Sequence, residues 1–183
     1  MDGFDVGAGA LPAEGCAAVV NVVRTELALR PGMSLLEVGC GAGALLWCLR
    51  DDGLELLGID YSAALIEHAK AAIPEATFAV AEAIDIPFEA DALLCHSVFQ
   101  YFPDYGYARR AIEAFLRAAP VALVMDIPDL AAQEESAAMR QTSGSKRERH
   151  LYFPRSFFEP ARTWTSEVPG YGNAPFRFHA YFG

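Results

Sequence analysis

Three glycines spaced two apart, Gly39, Gly41 and Gly43, follow directly on the apolar run Ser34-Leu35-Leu36-Glu37-Val38. A chain that leaves a strand and turns at once into a helix needs residues without Cβ there, and the same residues let a ligand approach main-chain atoms. The helix N-terminus that follows, from Ala44, offers free N–H groups and a partial positive charge. Asp60 ends the next apolar run, Leu54-Glu55-Leu56-Leu57-Gly58-Ile59. A carboxylate at that edge can accept from both hydroxyls of a ribose. Together these residues predict a nucleoside cofactor at the switch point of a parallel sheet.

Further chemistry-bearing residues follow the later apolar runs. His96 has an ordinary pKa near neutrality and is a candidate general base. Its place late in an apolar strand equally suits a hydrogen-bonded core histidine. Gln100 and Tyr101 come just after that strand's carboxyl end, where substrates bind in open α/β sheets, and Asp126 ends the fifth strand on the same edge. His150-Leu151-Tyr152-Phe153-Pro154 and Phe157-Phe158 form an aromatic cluster beside the basic residues Lys146, Arg147 and Arg149. The cluster reads as a lid packed on the domain, with His150 or Tyr152 reaching the substrate as the alternative. The basic run reads as a solvated face that an anionic substrate group could also use.

These residues need a scaffold, and the pattern supplies one. A helix is expected over about residues 13–29, before the breaker Pro31-Gly32, and another from Ala44 to Arg50. Helices over Ala63–Ala72, capped by Ser62, and near Tyr107–Ala118 alternate with apolar strands. Those strands are expected at Ser34–Val38, Leu54–Ile59, Thr77–Val80, Ala92–Val98 and Val121–Met125. Such alternation means βαβ units, and strands that are apolar throughout suit a parallel sheet covered on both faces. Residues 129–149 are polar, read as a helix followed by the loop Gln141-Thr142-Ser143-Gly144-Ser145. Trp164–Val168 and Phe176–Phe182 read as two strands joined by a Gly-rich turn. The expectation is a Rossmann-like, doubly wound α/β fold whose seven-stranded, mostly parallel sheet has an antiparallel last strand. One domain is expected over 1–183, with an N-terminal helix or lid in 1–30, the cofactor core in 31–126, and a lid segment and strand pair in 127–183.

Of 183 residues, 53% are hydrophobic, enough for a buried core and too many for a disordered chain. Twenty-four acidic residues against 14 basic ones give a net charge of -10. That balance argues against nucleic acid and anionic membranes as partners. Cys16, Cys40, Cys48 and Cys95 lack metal-site or disulfide-framework spacing and are expected to be reduced thiols packed as small apolar residues, with no metal. The acidic N-terminus is unlike a secretory signal, and no apolar run approaches the length of a bilayer span. A soluble cytoplasmic protein is expected, monomer or homodimer, with a small-molecule partner.

Gly39-Cys40-Gly41-Ala42-Gly43-Ala44 also satisfies the dinucleotide fingerprint. Three features favour S-adenosylmethionine (SAM) instead: a helix before the first strand, Glu37 within that strand, and too little chain for a separate substrate domain. The chain then resembles class I SAM-dependent methyltransferases of the small-molecule type, motif by motif. Leu35-Leu36-Glu37-Val38-Gly39-Cys40-Gly41-Ala42-Gly43 is similar to that family's first motif and Gly58-Ile59-Asp60-Tyr61-Ser62 to its second. Ala81-Glu82-Ala83-Ile84-Asp85-Ile86-Pro87-Phe88 resembles the segment after strand three. His96-Ser97-Val98-Phe99-Gln100-Tyr101-Phe102-Pro103-Asp104 resembles the one leaving strand four. The match runs in order from about Pro31 to Asp126.

The resemblance implies that Glu37 and the Gly39, Cys40, Gly41 and Gly43 turn hold the methionine part of SAM. It gives the ribose to Asp60, with Ser62 beside it, and the adenine to Tyr61, Glu82, Ala83 and Ile84. It makes Ser97 and Val98 the floor near the sulfonium. Glu82 stands where the family more often has Asp. The implied reaction is methyl transfer to oxygen or nitrogen of a small acceptor, with His96, Tyr101 and His150 the catalytic candidates. The tail Tyr171-Gly172-Asn173-Ala174-Pro175-Phe176-Arg177-Phe178 is similar to the end of some methyltransferases found with sugar and natural-product pathways. The alternatives are an NAD(P)-dependent oxidoreductase and a non-catalytic binding protein on the same fold.

Overall fold

A computed structural model describes residues 13–142 and 150–183. Its first half comprises α1 (Ala13–Glu26), β1 (Ser34–Val38), α2 (Ala44–Leu49), β2 (Glu55–Asp60), α3 (Ala63–Ala72) and β3 (Thr77–Val80). Then come β4 (Ala92–His96), α4 (Tyr105–Ala118), β5 (Ala122–Pro128), α5 (Gln133–Thr142), β6 (Arg162–Thr165) and β7 (Arg177–Phe182). The strands form one seven-stranded sheet in the order β3-β2-β1-β4-β5-β7-β6. Pairings among β1 to β5 are all parallel, and β7 runs antiparallel to both β5 and β6. The doubly wound architecture is therefore the expected one. Its switch point lies between β1 and β4, where the strand order reverses.

Alternation along each strand builds two cores from one sheet. Leu36, Val38, Leu57, Ile59, Leu93 and Cys95 face the layer of α4 and the aromatic segment after residue 150. Leu35, Leu56, Leu94, Leu123 and Met125 face the layer of α1, α2 and α3. With both faces covered, neither set can be polar, which is why the strands read as unbroken apolar runs. Each large side chain so buried contributes roughly 1.5–3 kcal/mol.

Element ends moved by a few residues, each for a local reason. The first helix stops at Glu26, because Ala28 adopts a left-handed φ of 48°. The fourth strand ends at His96 rather than Val98, because Ser97 turns out of it with φ 58°. α4 starts at Tyr105, two residues early, because the Asp104 side chain accepts from Tyr107 N at 2.7 Å and caps it. β5 does not end at Met125. It runs to Pro128 through a bulge between Val124 and Ile127, and β6 lies at Arg162–Thr165, starting two residues before the expected Trp164 and ending three before Val168.

The aromatic segment packs on the domain. Phe153 and Phe158 are fully buried: Phe153 lies edge-on to Phe99 at 5.5 Å and to Phe158 at 5.7 Å, and Phe158 lies edge-on to Phe178 at 5.5 Å and tilted against Phe99 at 5.3 Å. Lys146, Arg147 and Arg149, the tip of the polar loop and residues 1–12 lie outside the described residues. All four cysteines lie outside disulfides, but only Cys40 and Cys95 are buried, and Cys48 on α2 is exposed, against expectation. Among the described residues no helix is long and apolar enough to cross a membrane.

Candidate active site

A cleft of about 760 Å³ opens at the carboxyl edge of β1, β2 and β4. Its wall begins with Val38, Gly39 and Gly41 and continues through Asp60, Tyr61 and Leu65 to Ala81, Glu82 and Ala83. His96, Ser97, Val98, Tyr101, Phe102, Pro103, Tyr107 and His150 complete it.

The turn after β1 is tied to β2. Gly39 N and Cys40 N both donate to Ile59 O, at 2.8 and 3.0 Å. Asp60 finishes the tie: its Oδ2 accepts from Gly41 N at 3.0 Å and its Oδ1 from Ser62 N at 2.8 Å. Each carboxylate oxygen has a second lone pair, so both can still accept from a ligand hydroxyl in the cleft. Gly39 has a left-handed φ of 75°, and a Cβ there would meet Val98 Cγ2 at 2.3 Å. The bare main chain is thus kept open by a glycine that nothing larger can replace without a shift.

Glu37 is 3% exposed, one residue in from the cleft wall, and its Oε2 has no hydrogen-bond partner among the described residues. Burial, and then the charge of Asp60, push its carboxyl up to about 8. A buried acid in search of a cation suits a ligand with an ammonium group. The linkage has a definite sign. The folded chain holds this proton more tightly than the unfolded one, so the group's contribution is complete below the ordinary carboxylate range and is lost as pH rises to about 8. Glu37→Gln mimics the protonated form. In the ligand-free protein it should match wild type near pH 5 and melt higher by about 5–10 °C at pH 8. A melting difference equal at both pH values in a thermal scan would refute the linkage.

At the far end of the cleft, Tyr107 OH donates to Glu82 Oε2 at 2.7 Å. Burial, then this bond, push the Tyr107 phenol up to about 12. Glu82 is thereby aimed, with its other oxygen left for a ligand. Tyr61, 76% exposed, stands beside this end as an open aromatic face.

The edge above β4 and β5 is polar. Ser97 and Asp126, with φ 58° and 59°, are two neighbouring non-glycine residues in left-handed backbone. Ser97 Oγ donates to Asp126 Oδ2 at 2.8 Å, and Gln100 Nε2 donates to Ser97 Oγ at 2.8 Å. Burial lowers the His96 pKa, an effect that Asp126 opposes and Arg177 reinforces. His96 is therefore a neutral imidazole at pH 7. Tyr101, 52% exposed, meets the His150 ring edge-on at 5.7 Å across the cleft mouth.

Eight expected cofactor residues line this cleft: Gly39, Gly41, Asp60, Tyr61, Glu82, Ala83, Ser97 and Val98. His96, Tyr101 and His150 join them there. Five others do not form its wall. Glu37 is buried behind it, and the Cys40 side chain packs into the core. Gly43 is the N-cap of α2, facing Ile73 and Ala69. Ser62 caps α3, accepting from Leu65 N at 3.4 Å, and Ile84 packs against the core. Tyr152, the alternative to His150, is buried, with its hydroxyl against Ser136. Tyr107, Leu65, Phe102 and Pro103 also line the cleft, and Tyr171, Arg177 and His179 surround Asp126. Their contacts span 25 to 53 residues of chain, and no local spacing announces them. Among the described residues no group of three or more His, Cys, Asp or Glu could hold a metal ion.

Residues 36–121 match the family described as methyltransferase domain. The chain is 31% identical over 114 residues to trans-aconitate 2-methyltransferase of Methylobacterium radiotolerans, covering 60% of this chain and 44% of that protein. It thus spans less than half the length of that relative. The magnesium protoporphyrin IX methyltransferase of Synechocystis PCC 6803, crystallised with S-adenosylhomocysteine (SAH), superposes with a TM-score of 0.64 at 18% identity, over 91% of this chain and 78% of that one. A sugar N-methyltransferase from Streptoalloteichus gives 0.56 at 25% identity, over 65% and 50%.

Proposed function

We propose that this chain is a class I, SAM-dependent methyltransferase domain that moves the methyl group of SAM to an oxygen or nitrogen of a small acceptor, a reading supported by the methyltransferase-domain match over residues 36–121. The observation that carries the reading is Asp60: both its oxygens are fixed by main-chain N–H groups, and it still faces the cleft. When bound, SAM supplies an electrophilic methyl on a sulfonium. In this reading the Gly39 to Gly41 main chain and Glu37 take its methionine part and Asp60 its ribose. Tyr61, Glu82 and the Ala83 and Ile84 main chain take the adenine. Ser97 and Val98 form the floor.

The transfer is an in-line displacement, and its main demand is that the acceptor be held against the methyl. Such positioning supplies up to about 7–11 kcal/mol. Tyr101, Phe102, Tyr107 and His150 offer aromatic walls for an acceptor with flat or apolar faces. Sugar and natural-product acceptors fit this wall, and the likeness to a sugar N-methyltransferase supports them. His96, neutral at pH 7 and open to the cleft, takes the proton that an acceptor hydroxyl or ammonium gives up.

Incubating the protein with isotope-labelled SAM and a metabolite extract, then searching for labelled products by mass spectrometry, tests the reading and names the acceptor. Binding of NADH in place of SAM would return the oxidoreductase alternative; SAM binding with no labelled product would return the non-catalytic one. With that acceptor, His96→Asn should lower kcat about 100-fold and remove the acid limb of the pH profile, with SAM binding unchanged. A loss below about tenfold would leave positioning as the sole device.

A further inference from the structure

Behind the acceptor edge lies a second, much smaller chamber of about 10 Å³, room for one water. It shares one wall with the cleft, His96, and is otherwise lined by Val19, Asp126, Ser166, Val168, Tyr171 and His179. Two of its polar atoms, Asp126 Oδ1 and Ser166 Oγ, make no hydrogen bond among the described residues, although each residue is only 4% exposed. A pocket of this size that faces two or more such atoms meets the conditions for an ordered water.

Asp126 is held there by an unusual device. At the β5 bulge the ladder to β7 is interrupted, and Asp126 N donates instead to His179 Nδ1 at 3.2 Å. That bond fixes the proton of His179 on Nε2. Burial, the largest cause, pulls the His179 pKa down to about 4, so the imidazole stays neutral through the working range. The bulge turns the Asp126 carboxyl toward Ser97 Oγ at 2.8 Å and Tyr171 OH at 3.3 Å, with Arg177 Nε at 3.7 Å from Oδ1. His96, His179, Arg177 and Tyr171 are the titratable groups around Asp126 on β4, β7 and the turn before β7.

We propose that this chamber is a built water site linking His96 to Asp126, and that Asp126, held on its bulge by His179, is the positioning residue that balances the positive charge formed on His96. The proposal rests on the methyltransferase reading, in which His96 faces the acceptor. In the step the acceptor's lone pair forms the new bond to the methyl carbon and the carbon–sulfur pair returns to sulfur. The acceptor's proton moves to a ring nitrogen of His96. The resulting imidazolium is balanced across the chamber by Asp126, with the water between them accepting from one and donating to the other.

Histidine-labelled protein saturated with SAH, followed by long-range proton–nitrogen spectra from pH 5 to 9, tests this without knowledge of the acceptor. His179 should remain the neutral Nε2–H tautomer throughout. Asp126→Asn should lower the His96 midpoint by about one unit or more, or out of the range. His179→Asn, whose amide oxygen can still accept from Asp126 N, should leave that midpoint where it is, whereas His179→Phe should shift it as Asp126→Asn does. Should the Asp126 variant not fold, Ser166→Val, which fills the chamber with methyl groups, carries the same expectation of a lowered midpoint. A crystal of the SAH complex should show a water within hydrogen-bond reach of Asp126 Oδ1 and Ser166 Oγ. A dry chamber, or an unmoved His96 in the folded variants with SAH still bound, overturns the coupling alone. Failure of the wild-type protein to bind SAH overturns the methyltransferase reading and the coupling with it.

Discussion

Asp60→Ala should weaken SAM binding by about 10²–10⁴-fold, which is the loss of two charge-assisted hydrogen bonds to a ribose at about 1.5–3 kcal/mol each. Asp60 has a second task, since its Oδ2 also holds Gly41 N and its Oδ1 holds Ser62 N. A drop in affinity could therefore come from a loosened turn. The two causes separate with a pair of adenosine ligands, 5′-methylthioadenosine and its 2′-deoxy counterpart, measured on wild type and variant. If Asp60 grips the ribose, wild type discriminates the pair by about tenfold or more and Asp60→Ala does not, because the coupling between residue and hydroxyl is what the cycle isolates. Equal losses on both ligands would assign Asp60 to the turn alone. Asp60→Asn keeps one acceptor oxygen and should fall between, with an affinity loss of about 10–100-fold.

The residues that bear on the cofactor were legible because their requirements are local. A strand that must turn into a helix within a few residues selects glycine, and a carboxylate that must stand at the end of the next strand is one heavy acid after an apolar run. Those constraints operate over a short stretch of chain, so their spacing survives in the sequence. The layered strands were legible for a similar reason, since a sheet covered on both faces admits few polar residues anywhere along it. The limits of the fourth and fifth strands were not. Ser97 and Asp126 leave regular extended geometry although neither is glycine, and what holds them there is each other, together with His179 from β7. Propensity at positions 97 and 126 carries no trace of a partner that lies 29 or 53 residues away. The same is true of Tyr107, whose hydroxyl meets Glu82 only after α4 has docked. Read from the sequence alone, the Glu82 side chain is a lone departure from Asp. With Tyr107 holding one oxygen, its extra methylene becomes the length needed to be shared. Polar networks assembled from several strands are the part of a site that a single sequence hides best.

Gly39→Ala should be the most damaging single-methyl change in the molecule, and the reason can be divided experimentally. The added Cβ meets Val98 Cγ2 at 2.3 Å and Cγ1 at 3.4 Å. It must also adopt φ 75°, where an L side chain costs roughly 1–2 kcal/mol. Val98 belongs to the cleft wall, so relief of the clash has to come from moving either the floor or the turn, and both lie where the cofactor binds. The expectation is a stability loss of about 2–4 kcal/mol, seen as a fall of about 5–15 °C in melting temperature, and SAM affinity weakened by about 30-fold or more. Val98→Ala removes both offending methyl groups and leaves only its Cβ, 3.5 Å away, in ordinary contact. The double variant Gly39→Ala/Val98→Ala should therefore recover more than half of the lost affinity, beyond what Val98→Ala does alone, while keeping the backbone part of the penalty. Recovery of that kind makes the glycine a steric requirement of the floor. No recovery would mean that the left-handed turn itself, and the main-chain N–H groups it presents, is what the position exists to preserve.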